Sequence, residues 1–409
     1  INNIKIIFID GINSCEDMFK DLTHIEKIDL SQFNSNSVTS MKNMFYKCKG
    51  LISINLQNLK TSSVNNTKNM FYYCNKLKSI DLSYFQTNSL KSMKNMFSLC
   101  SGLEYIKLPT NLDTSNVKDM SGLFRECNNL ISIDLTKFDT SSVNNMEYMF
   151  SNCLKLNSLN FSSFDTSKVE TMSHMFENCI SIVSLDLSYF NTSSVKNMEY
   201  MFSNCENLES IKIMINGEKR KNQWIEITCK YNLFSWLFGN NCKNYFNSVK
   251  IYNFDTTNVE TMKNMLSSCK KINKLDLSHF NTTSLTNMEN MFSDCSNLTN
   301  IDFTNFITDK VTNMYGLFKG CIRLNQVNFS AFNTKSLKNT SRMFENCNPK
   351  AFENLKDFDI SNVKDMSYMF SSCKDLISID LSNLNTSSAT NMNYMFSNCI
   401  NLTSVTFVI

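Results

Sequence analysis

From Leu185 to Cys205 the chain reads L-D-L-S-Y-F-N-T-S-S-V-K-N-M-E-Y-M-F-S-N-C, and it resumes with E-N-L-E-S-I. Two apolar periodicities meet here. Val195, Met198, Met201, Phe202 and Cys205 fall at i, i+3, i+6, i+7 and i+10, the stripe of a short amphipathic helix. Thr192 or Ser193 stands where it would cap that helix, and Ser167 with Glu170, like Thr257 with Glu260, has the capping-box spacing. After the cysteine comes L-x-x-I-D-L, as in Leu130, Ile133, Asp134 and Leu135, which alternates as a short strand with one buried face does.

Working outward, the same frame recurs along nearly the whole chain. Cys48, Cys74, Cys100, Cys127, Cys153, Cys179 and Cys205 lie 26 residues apart with one spacing of 27, and Cys269, Cys295, Cys321, Cys347, Cys373 and Cys399 continue at 26. Aligned on the cysteines, 23 of the 24 methionines fall in two columns, seven and four residues earlier. In the first copy Leu22 takes the cysteine column and Cys15 a methionine column, so Cys15 and Cys229 stand off the ladder. One copy cannot bury its apolar side alone, and successive copies must stack. The expectation is an α/β, right-handed leucine-rich-repeat-type solenoid with one short parallel strand and one short helix per 26-residue repeat. It forms a single continuous body over residues 1–409, of about 15 repeats, and at ~4.8 Å per turn is on the order of 70 Å long.

The frame breaks between Cys205 and Cys242, 37 residues apart. Realigned, Cys242 rejoins the ladder, with Leu237 and Phe238 standing for Met and Phe, and an insertion is left at about 214–229. It holds the turn signal Asn216-Gly217, the basic run Lys219, Arg220, Lys221, and Trp224, and reads as a protruding hairpin or loop. Pro109 adds a residue at the end of one strand, and Pro349 spoils a strand entry. Ile1 falls just before a strand position and Phe407 to Ile409 end on one without a polar capping turn. The expectation is a piece of a longer array, or ends that pair with something.

Composition narrows the function classes. Lysine and arginine total 40 against 37 aspartate and glutamate, a formal net charge of +3 with both signs scattered, which argues against nucleic acid as a partner. No membrane-spanning segment is expected, because no run of eighteen apolar residues occurs, and the first ten residues lack the pattern of a signal peptide. Glycine and proline are scarce, at 8 and 2, so the turns must rely on Asn, Asp and Ser.

Chemistry finds little purchase. No two cysteines are close enough for a zinc or iron-sulfur motif, and stacked parallel Cβ vectors suit disulfides poorly, so the ladder reads as buried free thiols. Cys229 near a presumed helix start reads as drift within the insert. The column Asp29, Asp81, Asp134, Asp186, Asp276, Asp302 and Asp380, interspersed with Asn55, Asn160 and Asn328, invites calcium, but no glycine-rich calcium loop accompanies it. His24, His174 and His279 belong to different columns, so no catalytic, cofactor or metal site is assigned. Nine N-x-S/T sequons occur, among them Asn191, Asn281 and Asn385 in one column, as expected in a chain so rich in Asn and Ser.

The repeat F-x-x-C-x-x-L-x-x-I-x-L, continued by S-x-F-x-T-S-x-V-x-x-M-x-x-M-F, resembles that of the BspA-like leucine-rich-repeat surface proteins. More narrowly, it is similar to the 26-residue bacterial surface protein repeat. The match runs from about Ile12 to Phe407, interrupted by the insert. The resemblance implies an extracellular or cell-surface location and attachment to host molecules, matrix or other cells, and it supplies no catalytic residues. The expected function is a non-enzymatic scaffold for a protein or glycan ligand. Contact is assigned to the strand-face residues Tyr84, Asp134, Asp186, Ser188, Tyr189 and His279, and to Lys219, Arg220, Lys221 and Trp224 of the insert. Two other readings stand beside it: a subunit of a filament or surface layer, self-associating through uncapped ends, and an intracellular interaction scaffold.

Overall fold

The computed structural model describes residues 12–212, 248–250 and 255–406, apart from positions 58, 279, 304, 326, 330, 331, 353, 354, 356, 357 and 383. Among the described residues the chain winds as a β-solenoid.

One side of each coil carries the expected strand, where it forms at all. The strands are three residues long: β1 (Lys27–Asp29), β2 (Ser53–Asn55), β3 (Ser79–Asp81), β4 (Tyr105–Lys107), β5 (Ser184–Asp186), β6 (Ser210–Lys212), β7 (Ser248–Lys250), β8 (Lys274–Asp276), β9 (Asn300–Asp302), β10 (Ser378–Asp380) and β11 (Ser404–Thr406). They pair in parallel as β1–β2, β3–β4, β5–β6, β7–β8–β9 and β10–β11. The register follows the repeat, with Ile28 opposite Ile54 and Leu185 opposite Ile211. Central residues such as Ile80 and Leu275 point into the core while their neighbours face out, as a pleated strand requires.

The expected helix is absent: among the described residues no α-helix forms, and the only helical elements are short 3-10 turns at Leu135–Lys137 and Pro349–Phe352. The helix-per-repeat expectation is therefore corrected to a wall of consecutive turns. The coil at 146–153 shows how it works. Met149, Ser151 and Cys153 donate their N–H groups three residues back, to Met146, Tyr148 and Phe150. Met146, Tyr148, Phe150 and Asn152 instead donate to Thr171, Ser173, Met175 and Glu177 of the next coil, at 2.7–3.2 Å. Left-handed backbone at Tyr148 (φ 58°) and Asn152 (φ 60°) turns those donors outward along the stack, and the same pair of positions recurs in coil after coil. A chain of turns advances about as many residues per bend as a helix, so it buries the same stripe. Val195, Met198, Met201, Phe202 and Cys205 are all at most 1% exposed. The periodicity was a sound guide to burial but could not distinguish the two backbones.

The expected helix caps have other duties. Thr140 donates to the Asp165 carbonyl and accepts the Asp165 N–H, both at 2.8 Å, and Thr166 treats Asn191 in the same way. Thr192 donates to the Asp255 carbonyl at 2.9 Å. Each hydroxyl thus satisfies a peptide group of the following coil from a fully buried position, where an unpaired donor or acceptor would cost ~1–3 kcal/mol. Asparagine and aspartate make the corners. Asp165, Asp186 and Asn197 each accept the N–H two residues ahead, which explains how so many bends form with so little glycine.

Bridges on the turn wall run unbroken from Ser14 through Ser40 and Asn66 to Asn391, and they pass directly from Asn197 to Thr261. The rung beside Cys205 belongs to Cys269, whose thiol donates to the Phe202 carbonyl at 3.1 Å. Cys242 and the insert at about 214–229 lie outside the described residues.

Inside, phenylalanines stack one per coil from Phe19 to Phe202, with neighbouring ring centroids 5.2–5.9 Å apart. Cys48 to Cys205 and Cys269 to Cys373 are buried free thiols, each donating to a backbone carbonyl of an earlier coil, and Cys399 is half-buried. Burial pushes the Cys153 and Cys205 thiols up to about 12. Cys15 is buried in the methionine column, its N–H bound to the Ser40 carbonyl as the Met41 N–H is to Asn66. Near Pro109, where one coil is a residue longer, an apolar void of about 20 Å³ remains. Among the described residues no helix is long and apolar enough to cross a membrane.

Candidate interaction surfaces

Each coil presents two faces, the strand side and the turn wall. On the strand side the polar residues singled out from the sequence are largely committed to the scaffold. Asp134 accepts the Thr136 N–H and hydroxyl at 3.1 and 2.5 Å, and Asp186 accepts the N–H and hydroxyl of Ser188 at 3.1 and 2.6 Å. Their carboxylates face solvent but hold corners. Asp29 shows the electrostatic signature of this arrangement: its hydrogen bonds from Ser31 keep its carboxyl below the usual range. Among the described residues no group of three or more potential metal ligands converges.

Tyr84 and Tyr189 are both about half exposed, but they stand four coils apart in one column, on the order of 19 Å at the strand spacing, so no single patch contains both. His279, Lys219, Arg220, Lys221 and Trp224 lie outside the described residues. What the structure does bring together is Tyr84 with Tyr105 and Lys107 of β4. Tyr105 is 57% exposed, and the Lys107 ammonium reaches the Asp81 carboxylate at 2.9 Å with both tyrosines close by. Tyr105 was missed because its column elsewhere carries mostly serine or lysine.

The turn wall carries a second feature that the sequence reading missed. Tyr148, His174 and Tyr200 occupy one column, all with left-handed backbone, and their rings stack at 4.2 and 4.4 Å. The Arg125 guanidinium lies 4.8 Å from the Tyr148 ring, and His174 Nδ1 meets Glu177 at 3.0 Å. A shorter version follows near the far end, where Arg342 lies over Tyr368 at 4.2 Å and Tyr368 stacks on Tyr394 at 4.8 Å. Elsewhere the column holds mostly Asn or Gly, residues that tolerate a positive φ, with Asp17 and Arg342 as the exceptions. At Gly122 a Cβ would run into the Asn95 side chain. Aromatic residues in this backbone carry a penalty of ~1–2 kcal/mol, which their stacking offsets. The signal was available in the aligned repeats as three rings at one position in three successive copies.

Beside this ladder, at the corner leading into the wall, an open groove of about 690 Å³ runs along the stack. Lys118, Lys168 and Lys196 line it with Glu170, three serines and two asparagines. Lys196 is held by Glu170 at 3.3 Å, and Asn258 donates to the Ser193 carbonyl at 2.8 Å.

Comparison with known proteins bears on the repeat. The family described as "Mycoplasma protein of unknown function, DUF285" matches residues 13–107, 104–214, 232–354 and 339–406. Among solved structures, a leucine rich cell surface protein from Faecalibacterium prausnitzii A2-165 is similar at a TM-score of 0.43 and 17% identity, over 94% of this chain and 88% of that one. A leucine-rich repeat protein from Bacteroides ovatus gives 0.40 and 17%, over 93% and 86%. A third, from Eubacterium ventriosum, gives 0.38 and 16%, over 84% and 76%. No curated protein sequence matches the chain.

Proposed function

The chain belongs to the DUF285 family, and from that premise we propose that it is a non-enzymatic binding scaffold, displayed at a surface or secreted, whose ligand is a protein or glycan. The resemblance of its repeat to that of the BspA-like surface proteins supports this reading. The observation that carries it is a division of labour among side chains. Nearly every polar residue at a corner is turned back onto the coil stack, while Tyr84 and Tyr105 stand out from the strand side beside the Lys107–Asp81 pair. Exposed tyrosines beside a charged pair supply contact area at low entropic cost, the composition that interface anchors share.

The insert at about 214–229, with Lys219, Arg220, Lys221 and Trp224, belongs to the same proposal as a second contact region. The direct bridge from Asn197 to Thr261 supports its being dispensable to the stack. The test is retention of the purified chain on a panel of immobilised matrix proteins and polysaccharides. At least one should hold it, with retention weakened tenfold or more by Tyr84→Ala with Tyr105→Ala, or by deletion of 214–228, at unchanged circular dichroism. Retention by none of the panel would sink the scaffold reading, and unchanged binding in a variant would remove that region from it.

A further inference from the structure

We infer that the groove over Lys118, Lys168 and Lys196 is a binding site for an acidic polysaccharide, an inference that rests on the scaffold reading above and gives it a ligand class. Three observations carry it.

The first is charge. The groove holds three ammonium groups and one carboxylate, and that carboxylate, Glu170, is taken by Lys196. Among the described residues the ammonium groups of Lys118 and Lys168 make no hydrogen bond or ion pair, although Lys168 lies near the Asp165 carboxylate. Both are exposed. A carboxylate or sulfate entering the groove therefore meets cations that need not first break an internal pair.

The second is the chemistry of the lining. Apart from the charged residues it consists of serine hydroxyls and asparagine amides, with no aromatic or aliphatic side chain. A protein or peptide partner draws most of its affinity from apolar and aromatic anchors seated in pockets, and a single-stranded nucleic acid from rings on which its bases stack. This groove offers neither. Hydroxyls and amides that both donate and accept suit a ligand studded with hydroxyls, and the lysines suit its acidic groups.

The third is geometry. Lys118 and Lys196 share a column, joined through Asn144 and Glu170 by backbone bonds from coil to coil, and so stand three coils apart, ~14 Å. Lys168 stands two residues before Glu170, in the next exposed column, at a level between them. The groove is open along the stack, and its 690 Å³ falls within the size range of ligand sites. A linear polymer of sugar rings, each about as long as one coil is high, can lie in it lengthwise and place acidic groups at successive lysines.

The test measures retention of the purified chain on immobilised hyaluronate, chondroitin sulfate, dextran and poly-L-glutamate, at low and at high salt. Retention is expected on at least one of the two acidic polysaccharides and not on dextran. It should weaken with salt and fall tenfold or more in Lys118→Glu with Lys168→Glu. Charge reversal of Lys338 and Lys364, in the same column near the far end, should leave it unchanged. If the double variant melts below the parent, Lys118→Gln with Lys168→Gln serves in its place. Equal retention of parent and double variant would overturn the proposal. So would poly-L-glutamate held as tightly as the polysaccharides, or no acidic polysaccharide held at all. In that last case, binding to a matrix protein that depends on Tyr84 and Tyr105 would leave the scaffold reading standing and remove only the groove.

Discussion

The strand side and the turn wall of the coil at 131–160 face the same core, but they are held to their neighbours very differently. On the wall, four backbone bonds of 2.7–3.2 Å tie this coil to the next. On the strand side no strand forms at this level, and Asn157 donates to the Ile131 carbonyl at 3.3 Å. Along the molecule the strands pair in short groups, whereas the wall bridges run without interruption from Ser14 to Asn391. The side that looks irregular is thus the side that keeps the stack in register. Hydrogen bonds directed between coils do this work whether or not the segment bears the name of a strand.

The contrast can be broken or sharpened in five ways. The largest effect is expected from alkali, which acts on the whole thiol column. These thiols ionise near 9 in an unfolded chain, but burial holds them higher in the fold, Cys100, Cys153 and Cys205 up to about 12, so above pH 9 the folded chain binds more protons than the unfolded one. Their stabilisation is whole below pH 9, declines above it and is gone by about 12. Thermal melts from pH 8 to 11 should show Tm falling steeply, and Cys153→Ala with Cys179→Ala should flatten the slope. An unchanged slope would mean the thiols are not sealed in.

Next in size is Phe150→Ala, which opens the ring stack on the wall side and should cost ~3–5 kcal/mol in urea denaturation. Ile133→Ala, on the strand side of the same coil, should cost nearer ~2 kcal/mol. Equal penalties would erase the distinction between the faces. Thr140→Val keeps shape but removes the hydroxyl that serves both peptide groups of Asp165, and should cost ~1–3 kcal/mol; a neutral result would show that water replaces it. Asn152→Ala should cost ~1–2 kcal/mol because the backbone there is left-handed, with Asn152→Gly close to neutral. The smallest change is expected for Asp134→Ala on the strand face, under ~1 kcal/mol, with hydrogen exchange of the wall amides undisturbed.

Much of this could be read from the amino acids. The period, the columns that go inside, the parallel strands and the free state of the thiols all follow from where apolar residues recur. The turn wall did not, because a helix and a chain of turns bury the same stripe at Val195, Met198, Met201, Phe202 and Cys205. The discriminating residues lie outside that stripe: Asn, Asp or Gly recurs one and five residues before the cysteine, where a positive φ is required, as at Asn152, Asn178 and Asn204. Thr192 and its equivalents read as caps because a buried hydroxyl serving the next coil leaves no mark in the local sequence. Of the surface, Tyr84 and Tyr189 were legible, whereas Tyr105, the Tyr148–His174–Tyr200 ladder and the lysine groove emerge only when residues 26 apart are set side by side.

Leu266 has a mechanical consequence. It occupies the place of a ring between Phe202 and Phe292, at the level where the wall bridges pass from Asn197 to Thr261. Because each layer leans only on the layers beside it, and four wall bonds of 2.8–3.4 Å still join the two layers where the rings are interrupted, load crosses that level through the backbone and not through the aromatic column.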